Sequence, residues 1–361
     1  MIKLALVPPQ ERPPLTSRHP RCSRFAVVTS IAILTCLFGS SHSWAAVAVP
    51  LFTPAGTTGN SWLGLFVSDV GDINGDGVDD FAVGAPAAGK GRVWLYWGGP
   101  GLDATPDLVL EGQATGDYFG NSVRGCGDVN GDGWDDLVVG APWNDAIGDK
   151  AGRAYVFFGG PAPDAIADLI FSGATAGEWF GWSVAGPGDL DGNGPDILVG
   201  SPYFATNLGR AYVYCGGAAL DSIPDVILAA PNAGWFGWFV NGAGDFDSDG
   251  WNDCLIGSNT AGLAYLYRGG PGFDGTVDLI FTSPGGAGDR FGYGLAPAGD
   301  VNGDGHDDVI IGAMHNDAGG EDAGRAYVYF GGSSPNVVAD LVLTGTVARG
   351  IFGRTVAGGG I

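Results

Sequence analysis

The stretch Gly127 to Pro142 reads GDVNGDGWDDLVVGAP, and it decides the fold because it is one of five copies. GDINGDGVDDFAVGAP stands at Gly71 to Pro86, GDLDGNGPDILVGSP at Gly188 to Pro202, GDFDSDGWNDCLIGS at Gly244 to Ser258 and GDVNGDGHDDVIIGA at Gly299 to Ala313. Their first aspartates, Asp72, Asp128, Asp189, Asp245 and Asp300, lie 56, 61, 56 and 55 residues apart. A Phe-Gly pair precedes the later copies at Phe119-Gly120, Phe180-Gly181, Phe236-Gly237 and Phe291-Gly292, and a Gly-Gly pair follows each copy. Landmarks recurring in one order at one period mark a single supersecondary unit used repeatedly.

Around the copies, RAYVFFGG, RAYVYCGG and RAYVYFGG are short apolar runs that end at glycines, as strands do. FAVG, LVVG and VIIG follow the acidic loops, and DLVL, DLIF and DVIL precede the next Phe-Gly pair. With the stretch after Phe-Gly, each unit holds four strands and no segment of helical period. Four antiparallel strands per unit predict the blades of an all-β propeller, with a stacked solenoid as the other architecture at such a period. Five units are complete. A sixth begins at Phe352-Gly353 and meets the end of the sequence at Ile361, where its acidic loop is due, so the expectation is a truncated sixth repeat.

Composition agrees. Glycine supplies 67 of 361 residues, which tight turns require, while 45% hydrophobic and 11% aromatic content exclude a disordered chain. The net charge of −23 argues against a nucleic-acid partner, which needs clustered Lys and Arg. Residues 1–45 read as a secretory signal. Lys3, Arg12, Arg18, Arg21 and Arg24 precede the uncharged run Phe25 to Phe38, and small residues offer a cleavage site after Ala45 or Ala46. The run is short for a bilayer span, so the mature chain, 46–361, is expected to carry none. It has a net charge of −27 and three cysteines, Cys126, Cys215 and Cys254, which are expected to be single structural thiols.

The acidic loops are the one place with evident chemistry. The first offers oxygens at Asp72, Asn74, Asp76, the Val78 carbonyl and Asp80. The second offers Asp128, Asn130, Asp132, the Trp134 carbonyl and Asp136. The fourth offers Asp245, Asp247, Asp249, the Trp251 carbonyl and Asp253, and the fifth Asp300, Asn302, Asp304, the His306 carbonyl and Asp308. Hard oxygens at loop positions 1, 3, 5, 7 and 9 can curl around one Ca²⁺, which takes six to eight of them. The third loop keeps Asp189, Asp191 and Asn193 but is one residue short, so its site is expected to be degenerate or rebuilt around Asp196. About four Ca²⁺ sites are therefore expected, with a fifth degenerate. The five loops hold 19 of the 38 mature acids, which would repel one another without cations. No Glu stands at position 12 and the flanks are strands, so these are not EF-hands.

The Phe-Gly pair, the calcium loop and the Gly-Ala-Pro ending together resemble the FG-GAP repeats of the integrin alpha-chain N-terminal β-propeller, over about residues 47 to 361. The resemblance implies that the loops brace the blades on one face, while ligands bind on the opposite face through loops that vary. It implies a secreted or cell-surface, non-catalytic binding or adhesion module with an extracellular protein or glycan ligand. The alternative is an accessory carbohydrate-binding propeller of a larger secreted enzyme.

Catalysis within the chain has little to work with. The mature part has only His306 and His315, and Asp145 and Asp317 read as turn residues rather than paired acids. Trp62, Tyr118, Trp179 and Trp235 before the Gly or Phe-Gly landmark, with Trp182, Trp238 and Tyr293 after it, are expected to fill space between blades, with sugar-binding slots as the other reading. Arg92, Arg153, Arg210 and Arg325 recur at one place in the unit and are expected to pair with nearby acids.

Overall fold

A computed structural model describes residues 61–230 and 234–358. The signal expected over 1–45 and the first residues of the expected mature chain, 46–60, lie outside the described residues. Each unit folds into one four-stranded antiparallel meander. The first comprises β1 (Val67–Gly71), β2 (Asp80–Ala85), β3 (Arg92–Tyr96) and β4 (Leu108–Glu111). The second comprises β5 (Ser122–Gly127), β6 (Asp136–Ala141), β7 (Arg153–Phe157) and β8 (Leu169–Ser172). The third holds β9 (Ser183–Gly188), β10 (Asp196–Ser201), β11 (Arg210–Tyr214) and β12 (Val226–Leu228), and the fourth β13 (Phe236–Gly244), β14 (Asp253–Ser258), β15 (Leu263–Tyr267) and β16 (Leu279–Thr282). The fifth holds β17 (Phe291–Gly299), β18 (Asp308–Ala313), β19 (Arg325–Tyr329) and β20 (Leu341–Thr344).

The first strands β1, β5, β9, β13 and β17 pack against one another in chain order, as the inner strands of propeller blades do. The second strands are buried over almost their whole length, which is why they read as unbroken apolar runs and not as alternating ones. The hydrophobic cores form between blades. Val93 and Leu95 of the first pack with Leu137, Val139 and Tyr155 of the second, and four such clusters join the five blades in sequence. Cys126 and Cys254 are buried in these cores and Cys215 is half-buried; all three are free thiols.

The sequence landmarks have a common physical origin. Gly140 of the second strand has its α-carbon against the Gly181 carbonyl of the next blade, so any Cβ there would collide with backbone. Gly84, Gly200, Gly257 and Gly312 face Gly120, Gly237, Gly292 and Gly353 in the same way. The Phe of each of those pairs is buried at 1% exposure or less for Phe119, Phe180, Phe236 and Phe291. The glycine of Gly-Ala-Pro and the Phe-Gly of the following unit are thus two halves of one blade-to-blade contact, which explains their recurrence together. The contact is repeated by Phe352-Gly353, so the sixth landmark docks on the fifth blade. Leu110, Phe171, Leu228 and Phe281 of the outer strands are fully covered by the next blade, whereas their equivalent in the fifth, Leu343, is 38% exposed.

Candidate metal loops and the opposite face

Each acidic loop joins the first strand of its blade to the second. The closing aspartate, Asp80, Asp136, Asp196, Asp253 or Asp308, is the first residue of the second strand and is at most 1% exposed. One of its oxygens accepts the amide at loop position 2, from Ile73, Val129, Leu190, Phe246 or Val301. The other accepts the first amide of the Gly-Gly pair, from Gly98, Gly159, Gly216, Gly269 or Gly331. All ten bonds measure 2.7–3.1 Å. One carboxylate therefore ties the loop, the second strand and the end of the third. The third unit obeys the same rule through Asp196, which the sequence places one residue early because the loop is short.

Burial pushes the carboxyl of Asp80 up to about 6, and those of Asp136, Asp196 and Asp253 up to about 7, with the amide bonds and neighbouring acids as smaller influences. Asp308 is raised by the same cause.

The remaining loop oxygens form a ladder. Asp72 accepts the amides of Asp76 and Gly77 at 2.9 and 2.8 Å, Asn74 accepts that of Asp76 at 2.8 Å, and Asp76 accepts that of Val78 at 2.9 Å. Asp128, Asn130 and Asp132 repeat the pattern towards Trp134, and Asp300, Asn302 and Asp304 repeat it towards His306. Asp245 and Asp249 do so in the fourth loop. In the third, Asp189 holds the Gly192 amide and Asp191 that of Asn193. The donor set fits a hard cation. In the fourth loop Asp245, Asp247 and Asp249 bring carboxylate oxygens within 4.8 Å of one another, and Asp247 Oδ1 is buried without a hydrogen-bond partner. In the third, Asp191 and Asp196 converge with Cys215.

Two sets of loop residues escaped sequence reasoning. Asp135, Asn252 and Asp307, at position 8, point out of their own loops and accept the position-1 amides of Asp72, Asp189 and Asp245 in the preceding blades, at 2.8, 3.2 and 3.0 Å. The side chains of Trp134, Trp251 and His306, valued only for their carbonyls, reach position 4 of the preceding loop: Trp134 covers Gly75, Trp251 covers Gly192, and His306 Nδ1 contacts Ser248 Oγ. The short third loop places Pro195 against Gly127, and Gly131 of the second loop has no cover.

The aromatic landmarks lie at the other end of the blades, where the second strand turns into the third. Trp62, Tyr118, Trp143, Trp179, Trp182, Tyr203, Trp235, Trp238 and Tyr293 form a continuous chain of ring contacts, with centroids 4.1–5.7 Å apart. Trp62 is 52% exposed and the other eight are half-buried. Trp143 and Tyr203 were missing from the expected set; the signal was their place directly after the proline of Gly-Ala-Pro and Gly-Ser-Pro. The residue before each Gly or Phe-Gly landmark is left-handed whatever its type, with φ of 60° at Tyr118, 56° at Trp179, 57° at Arg290 and 47° at Ile351. The Lys150 ammonium lies 5.0 Å over Trp143, and the Arg290 guanidinium 5.4 Å over Trp235.

Other expected roles resolve simply. Asp145 and Asp317 accept the amides of Lys150 and Asp322 inside their own turns. Of the recurring arginines, Arg92 makes an ion pair with Glu111, whereas Arg153 bonds Ser172 and Gln113, Arg210 stacks on Phe204 and Arg325 bonds Thr344. The recurrence reflects one packing place at the start of the third strand, and acid partners are the exception.

Twenty strands in five like meanders, with buried carboxylates closing the loops and glycines seating each blade on the next, define a repeat protein of propeller blades. It contains FG-GAP repeats: the FG-GAP repeat family matches residues 67–96, 119–157 and 291–329. The third and fourth units, outside those segments, fold in the same way. The chain is 31% identical to integrin alpha-5 of Xenopus laevis over 227 residues, covering 59% of this chain and 21% of that protein. It is 33% identical to human integrin alpha-IIb, over 58% of this chain and 21% of the relative, and 34% identical to integrin alpha-V of Gallus gallus, over 59% and 21%. The chain thus matches about a fifth of the length of these relatives. A solved BBS1N chain aligns over 75% of this chain and 67% of its own, at TM-score 0.42 and 13% identity, which is too distant to bear on function.

Proposed function

We propose that this chain is an exported, calcium-braced FG-GAP propeller that acts as a non-catalytic binding or adhesion module for an extracellular protein or glycan. The observation that supports it most is the closing aspartate. Five buried carboxylates, each engaged with backbone amides, stand beside two or three further loop carboxylates with no cation of the protein's own beside most of them. Such a charge density is stabilised by divalent ions. The ligands proposed are Asp72, Asn74, Asp76, Val78 and Asp80 in the first loop, their counterparts in the second, fourth and fifth, and Asp189, Asp191 and Asn193 with Asp196 in the third. Similarity to integrin alpha chains supports a cell-surface or secreted setting and a binding role without catalysis.

The glycan reading is favoured by the aromatic chain, whose half-buried rings offer stacking faces on the side away from the loops. A glycan array probed with calcium-loaded protein, with Trp182→Ala and Trp238→Ala as controls, tests it. Signals lost in both variants support a glycan ligand; a blank array with folded protein assigns the face to a protein ligand. Calorimetric titration tests the calcium reading, with four or five sites expected and none contradicting it.

A further inference from the structure

We propose that Arg268 is a built-in counter-ion of the fourth loop, a positioning residue that holds Asp247 in its ligating pose and keeps this loop formed when calcium is withdrawn. The inference rests on the calcium reading of the loops. In the third and fourth blades the residue directly after the third strand lies beside loop position 3, and over the five units the two residue types change together. Trp97, Phe158 and Phe330 accompany Asn74, Asn130 and Asn302, whereas Cys215 accompanies Asp191 and Arg268 accompanies Asp247. At loop positions 1, 3, 5 and 9 the fourth loop therefore has four carboxylates where the first, second and fifth have three, and one arginine restores the same local charge there.

The geometry matches this balance. Arg268 Nε lies 3.1 Å from Asp247 Oδ2, with the Asp247 side chain only 9% exposed and that of Arg268 35% exposed. The other oxygen, Oδ1, is buried and unpartnered, and one oxygen of the Asp247 carboxylate lies within 4.8 Å of oxygens of Asp245 and Asp249. The Arg268 amide is anchored at 2.9 Å by Asp278, so the side chain leaves a fixed point. Arg268 thus makes an ion pair with one Asp247 oxygen without a hydrogen bond, as its Nε is buried with no hydrogen-bond partner, and it leaves the other oxygen unpartnered. A permanent positive charge beside the loop lowers the repulsion among Asp245, Asp247, Asp249 and Asp253 when no ion is present.

Hydrogen exchange read by mass spectrometry on the full chain tests it, comparing the peptide around 244–258 with those around 71–86, 127–142 and 299–313, in calcium and in excess chelator. In chelator the wild-type fourth loop should keep protection comparable to that of the other three, and Arg268→Gln should lower it about tenfold below them while matching wild type in calcium. Adding Asp247→Asn to Arg268→Gln, which gives the fourth loop the position-3 residue of the first, second and fifth, should restore the protection. Protection in chelator that Arg268→Gln leaves unchanged, or that the double variant does not restore, would overturn the proposal. If calcium leaves exchange in all four peptides unchanged, the calcium reading itself fails, whatever Arg268 does.

Discussion

Asp136 shows how a residue chosen for a cation also serves the backbone. Its two oxygens satisfy the buried amides of Val129 and Gly159, so Asp136→Ala should lower the unfolding free energy by about 2–4 kcal/mol, measurable by urea unfolding even in chelator. The same burial sets a pH dependence. Asp136, Asp196 and Asp253 titrate near 7 in the ion-free fold and near 3.8 when unfolded, so the fold binds more protons over that interval. Its stability is greatest at the acid end and is lost as pH rises from about 4 to about 7. In chelator the melting point at pH 5 should therefore exceed that at pH 8, and saturating calcium should remove or reverse the difference. Equal melting points in chelator at the two pH values would contradict the buried, ion-free carboxylates.

At the scale of elements, the glycine of Gly-Ala-Pro is a contact between sheets. Gly140→Ala would drive a Cβ into the Gly181 carbonyl, and its cost should reach about 2 kcal/mol or more in thermal unfolding, against little for Ala at Gly101, which is open and not left-handed. Asp135→Ala should cost about 1 kcal/mol through the Asp72 amide, measured in the same way. The first change was foreseeable in kind from the sequence, since period, strands and oxygens all recur within one unit. The second was not. The partner of Asp135 lies 63 residues earlier, in the preceding blade, and nothing local marks an aspartate that points away from its own loop. Likewise the aromatic chain could be listed by position, but only the fold shows that Trp143 and Tyr203 complete it. Asp196 was legible as a substitute because the third loop is visibly one residue short.

The whole molecule is a series of blades joined by four cores, and its junctions are unequal. On the loop side, the first and second, third and fourth, and fourth and fifth blades are linked by a position-8 side chain. The second and third meet there through Pro195 and Gly127, without that hydrogen bond. Their core, with Phe171 stacked on Tyr214 at 3.7 Å, carries the junction. Limited proteolysis in chelator is therefore expected to cut first near the second and third loops, and calcium to protect them least. First cutting between the fourth and fifth blades would contradict that order.

The most direct measurement is the thermal unfolding of residues 46–361 with saturating Ca²⁺, with excess chelator and with Mg²⁺. An ion bound only by the fold stabilises it by about 2.7 kcal/mol per independent site at a hundredfold excess over its dissociation constant. The expected result is a melting point that rises steeply with Ca²⁺ and little with Mg²⁺. A melting point indifferent to Ca²⁺ in a folded sample would show that the loops are hydrogen-bonded turns, and that calcium does not brace the blades.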